Sequence, residues 1–156
     1  MKLTTLLLAG TLICSFPAAN AQHNHVIVSP DKLQWMDGPP GLPAGAKVAV
    51  LSGDPAAAGL FTVRLKFPAG YVIPAHWHPT DELVTVISGK FQMGMGDKYQ
   101  KNGLSPQRPG SFMLLPAKMT HYAGADEETI VQVNAMGPFE INYVDPNDDP
   151  RKKVQR

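Results

Sequence analysis

Residues 70–89 read GYVIPAHWHPTDELVTVISG, and this stretch decides the fold. Glu82–Ser88 (ELVTVIS) is alternating and β-branched, and the turn Gly89-Lys90 follows it, so it reads as a strand. Pro68-Ala69-Gly70 is a turn that opens an extended segment from Tyr71. His76 and His78 flank Trp77 in that segment. Residues i and i+2 of a strand face the same side. The two imidazoles therefore come together, and Trp77 points the other way. Pro79-Thr80-Asp81 is a short turn that brings the Glu82 carboxylate beside them, with Thr80 and Asp81 placed either to orient a histidine or as plain turn residues. Nitrogen and oxygen donors converging in this way suit a divalent first-row metal. An isolated H-x-H is also met as surface or hydrogen-bonded histidines, and Glu82 alone is also met as a solvated strand start. His121 is a more distant candidate donor.

Outward from this stretch the chain reads as strands and turns. Lys47–Leu51, Leu60–Phe67, Ser111–Leu115, Thr129–Met136 and Phe139–Val144 are expected strands, with a short one at Val26–Val28. Phe91–Met95 is expected to pair back on Glu82–Ser88 as a hairpin. Asp37–Gly45 (DGPPGLPAG) and residues 96–110 are loops by composition. Asp54–Gly59 reads as one helical turn, with Asp54 as N-cap and Pro55 at the first helical position. Gly and Pro together make 29 of 156 residues, well above the roughly 12% of average usage, which argues against long helices. Short strands without a long helix mean an all-β sandwich or barrel.

The ends carry different messages. Met1-Lys2, the apolar run Leu3–Phe16 and Ala19-Asn20-Ala21 read as a secretory signal peptide, residues 1–21, cut before Gln22. The expected protein is thus secreted or periplasmic, and free of the membrane once cut. Cleavage removes Cys14, so no disulfide is available to the exported chain. Residues 22–46 form a lead-in with an edge strand, 47–144 the barrel, and 145–156 a polar basic tail read as a solvated end. Residues 22–150 hold nine basic against thirteen acidic residues, so no broad basic face exists for nucleic acid. His23 and His25 belong to a polar terminus.

The spacing Gly70-x5-His76-x-His78-x3-Glu82-x6-Gly89 resembles the first signature of the cupin family at every fixed position. Gly110, Pro116 and His121 stand at the intervals of the second signature. Lys118 and Ala125 replace its usual Gly and Asn, which are turn and packing positions. The resemblance implies a jelly-roll, double-stranded β-helix barrel with one metal inside its mouth. It implies His76, His78, Glu82 and His121 as ligands, and iron, manganese, nickel, copper, cobalt or zinc as the ion. Such a site leaves positions for a small-molecule ligand or substrate, as in quercetinase-like dioxygenases and germin-like oxalate oxidases. With zinc, the same four groups close a tetrahedron, as in a non-catalytic binder. Edge-strand pairing into a homodimer follows by fold analogy alone.

Five further residues are expected to line a substrate pocket: Met93, Met95, Phe112, Leu114 and Tyr122. Met93 and Met95 share a strand face with Phe91. Phe112 and Leu114 share one face of their strand, and Met113 and Leu115 the other. Tyr122 and Lys118 flank His121.

Overall fold

Strand after strand buries every second residue. In β5 (Glu82–Ser88) these are Glu82, Val84 and Val86, and in β10 (Thr129–Gly137) they are Thr129, Val131, Val133 and Ala135. Each such apolar side chain taken from water stabilises the fold by about 1.5–3 kcal/mol. The computed structural model describes residues 25–153; the expected signal peptide lies outside them. Among the described residues no helix is long and apolar enough to cross a membrane.

Among the described residues eleven strands form two antiparallel sheets. The first joins β1 (Met36–Asp37), β2 (Lys47–Ser52), β3 (Gly59–Phe67), β10, β5 and β8 (Phe112–Leu115), in that order. The second joins β11 (Asn142–Tyr143), β4 (Tyr71–Trp77), β9 (His121–Ala125), β6 (Phe91–Met95) and β7 (Ser105–Gln107). β3 and β10 pair along their full length, from Thr129 opposite Phe67 to Gly137 opposite Gly59. The inner faces enclose one core, in which Phe67 stacks on Tyr71 and Phe91. This is the expected all-β cupin jelly roll.

The expected β5–β6 hairpin does not form. β5 lies between β10 and β8 in the first sheet, and β6 between β9 and β7 in the second. Gly89, at φ +84°, turns the chain from one sheet to the other, and a Cβ there would meet the Glu128 carbonyl at 2.4 Å. Adjacent strands of a jelly roll need not pair, and local sequence cannot show it. Val26–Val28 is exposed and in no strand, and the edge strand is instead Met36–Asp37. The expected helical turn over Asp54–Gly59 is instead a non-helical turn, in which Asp54 Oδ1 accepts the Ala56 N–H, and Gly59 already begins β3. Within 139–144 only Asn142–Tyr143 is strand, because Phe139 and Ile141 turn onto the core. The 96–110 loop holds β7, whose Pro106 is tolerated on an edge strand.

Part of that loop, Gln100–Gly103, covers Tyr122, which is only 2% exposed although it projects away from the barrel interior. Gly94 lies opposite Tyr122, and a Cβ there would sit 2.2 Å from the ring. We therefore expect Gly94→Ala to cost about 1–3 kcal/mol by overpacking, read as a lower melting temperature. An unchanged melt would contradict this packing.

Candidate metal centre

The site is assembled from three strands at one end of the barrel. β4 carries His76, with His78 just beyond it; β5 begins with Glu82, and β9 with His121. His76 lies opposite His121 in register. The way β4 turns its histidines inward is not simple alternation. Tyr71 and Ile73 face the core, so strict pleating would turn His76 and His78 outward. Between Ile73 and His76 the register shifts: β4 uses three residues where β9 uses two, from Ala123 to His121. This extra residue at Pro74-Ala75 is a bulge, and it re-aims the histidines into the barrel.

The three imidazoles offer ligand atoms that all lie within 4.8 Å of one another. All three rings are buried. Each ring is held through Nδ1 by a backbone carbonyl: His76 by Pro74 at 2.7 Å, His78 by Glu140 at 2.6 Å and His121 by Met119 at 3.0 Å. A carbonyl only accepts, so the proton sits on Nδ1 and the Nε2 lone pair stays free. Glu82 Oε2 stands 3.5 Å from Nε2 of both His78 and His121. His78 Nε2 is buried and has no hydrogen-bond partner among the described residues. Buried polar atoms are rarely left so. Three bare nitrogens and a carboxylate, converging with one atom orphaned, fit a divalent first-row ion.

Electrostatics favour the ligand forms. Burial, with the other two imidazoles, pushes His76 down to about 3. Burial also lowers His78, against the pull of Glu82 and the Glu140 carbonyl. Burial alone would raise Glu82, but the contact with His121 and the surrounding imidazoles outweigh it and hold the carboxyl low. His76 and His78 are thus neutral beside a carboxylate at neutral pH.

The sequence placed the four donors but not what holds them. Thr80 donates to the Met136 carbonyl, and Asp81 accepts the Ala117 N–H, so their hydrogen bonds go to backbone and not to a histidine. Asp81 instead braces the loop before His121, with Lys118 N–H donating to the His78 carbonyl at 2.8 Å. Lys118 is left-handed (φ 65°), as expected where the signature carries Gly. Phe139 stacks on His78 at 4.3 Å, a contact that composition could not signal.

The donors open on a cavity of about 490 Å³. Of the five expected pocket residues only Met93 lines it. Met95, Phe112 and Leu114 are more than half exposed. On β8 the pleat has the opposite parity, with Leu115 in the core and Met113 packed against it. Met95 shares the parity of Met93 but lies at the strand end. Together with Leu114 and Tyr122 it borders a separate surface groove.

A strap, residues 38–45, runs over the cavity. The Tyr143 hydroxyl donates to the Gly41 carbonyl at 2.8 Å, and the Tyr71 hydroxyl donates to that of Pro43. The basic tail is not wholly a solvated end. Pro150–Lys153 is a helical turn, and Arg151, paired with Asp149, donates to the Ile141 carbonyl and lines the cavity.

A two-sheet antiparallel barrel with three histidines and a glutamate inside one end is a cupin. Residues 23–140 match the ChrR Cupin-like domain family, and the chain belongs to it. Among curated proteins none matches it in sequence. Similar solved structures include the polyketide cyclase RemF from Streptomyces resistomycificus, at 17% identity and TM-score 0.67, covering 85% of this chain and 94% of that one. An acetylacetone dioxygenase from Acinetobacter johnsonii has 18% identity and TM-score 0.64, covering 88% of each chain. KdgF from Halomonas sp. has 21% identity and TM-score 0.55, covering 74% of this chain and 96% of that one. At these identities the likeness is one of fold.

The buried imidazoles set a pH dependence for the metal-free protein. With His76 lowered to about 3 from an ordinary 6.5, the unfolded chain binds more protons between these values. Stability therefore falls as pH drops from 6.5 toward 3, and Glu82, lowered from 4.5, adds loss of the same sign further down. Melting curves of chelated protein across this range check it; a flat profile would contradict buried neutral imidazoles.

Proposed function

We propose that this chain is an exported, mononuclear metal-dependent enzyme of oxygenase type, acting on a small oxygenated organic molecule. The observation that carries the reading is the triad of Nε2 lone pairs, each ring locked through Nδ1, aimed at one point at the end of a 490 Å³ cavity. His76, His78, Glu82 and His121 are the ligands. When bound, a redox-capable ion supplies a centre that binds substrate oxygens and dioxygen together. The chain's own residues keep His76 and His78 neutral, orient all three rings and exclude water with an apolar wall. The acetylacetone dioxygenase among the fold neighbours supports this choice of reaction class. Export rests on the leader-like residues 1–21.

A second reading, a non-catalytic binder, draws on the donor count: three nitrogens and one carboxylate complete a zinc tetrahedron.

Metal analysis of protein never exposed to chelator is expected to give about one divalent ion per chain, with equal losses of metal in His121→Ala and His76→Ala. Absence of metal would sink the proposal, and full occupancy in His121→Ala would remove that ligand from the set. Oxygen-electrode assays with diketones and flavonols test turnover; zinc alone without turnover selects the binder. An exported chain beginning at Gln22 checks the leader.

A further inference from the structure

The interior below the metal ligands contains almost no polar chemistry. The register arranges it in storeys. Glu82 lies opposite Ala135, which lies opposite Phe61, so these share the row of the donors. The next row holds Val63, Val84 and Val133 from the first sheet, and Ile73 and Met93 face them from the second. The stacked rings of Phe67 and Phe91 form the floor. Phe61 to Phe67 is six residues along β3, about 20 Å at strand rise. The other charged residues at the cavity are exposed and lie at its rim: Asp37, paired with Lys47, Arg151, paired with Asp149, and Glu140, whose backbone carbonyl holds His78.

From this polarity we infer that the ligand is monopolar: one compact, bidentate oxygen head at the donor end, on an uncharged hydrocarbon body that reaches toward the Phe67–Phe91 floor. The head depends on the metal-centre reading above; the body depends only on the cavity. A dicarboxylate as small as oxalate would leave the apolar storeys unfilled. A sugar or polyol would set hydroxyls against carbon, each unpaired group weakening binding by roughly tenfold. A cavity of this volume lies within the size range of small-molecule sites, and interiors otherwise pack without such space.

The test uses n-alkyl hydroxamates, from acetohydroxamate to decanohydroxamate, titrated by calorimetry into the protein as purified with its metal. Affinity is expected to rise about fourfold per methylene until the chain meets the floor, and then to level off. Oxalate and a polyhydroxylated hydroxamate should bind no better than acetohydroxamate. A flat series, or equal binding of the polyol, would overturn the inference. Val133→Phe should move the break to shorter chains; Ala123→Leu serves the same end if the first variant does not fold. His121→Ala separates the two readings. Loss of affinity by one common factor, with the chain-length slope kept, supports both. A slope without any effect of His121→Ala or metal removal sinks the metal head alone. Metal-dependent binding without a slope sinks the hydrocarbon body alone.

Discussion

The site depends on one extra residue in one strand. At Pro74-Ala75 the β4 ladder slips against β9, and that slip turns His76 and His78 from the outer face to the inner. The Pro74 carbonyl then accepts from His76 Nδ1. The bulge thus both aims the ring and holds its tautomer. The Met119 carbonyl, two residues before His121, and the Glu140 carbonyl, from a distant segment, hold the other two rings. Backbone carbonyls are suited to this work because they cannot donate or titrate.

Around this end the barrel divides its labour. The long β3–β10 pairing and the first sheet's valines supply most of a rigid wall. The second sheet supplies His76 and His121, and the residue just beyond β4 supplies His78. Covering segments close what the two sheets leave open, and their contacts are specific: tyrosine hydroxyls on strap carbonyls, and Arg151 on the carbonyl of Ile141. Burial is costly for charge, so His76 and His78 are held neutral, with a single carboxylate among the rings.

Much of the fold was legible locally. ELVTVIS forms β5 over its expected span, and the glycines at 70, 89 and 110 take the left-handed turns that the signature spacing needs. What failed did so where distant partners decide. Strand alternation in β8 shows two faces but not which one is inward, and Leu115, not Phe112, met the core. The β5–β6 turn looks like a hairpin to its neighbours, yet β5 pairs with β10 and β8, and β6 with β9 and β7, none of them the adjacent strand. The tail's charge suggested solvent, whereas Asp149 and the Ile141 carbonyl hold Arg151 against the cavity.

By itself the sequence, through its resemblance to the cupin signatures, singled out four candidate donors and a turn-rich, all-β chain, because spacing and residue chemistry are written along one dimension. Only the tertiary structure decided that the donors face inward, since a pleat's face depends on pairing register and on a bulge. It also decided that three carbonyls leave the Nε2 atoms free, and that the space beneath them is lined with carbon. The Glu140 carbonyl and the carbon walls reach the site from distant segments, and the Pro74 and Met119 carbonyls, two residues from their rings, are aimed by backbone geometry that strand pairing sets; no local pattern records either.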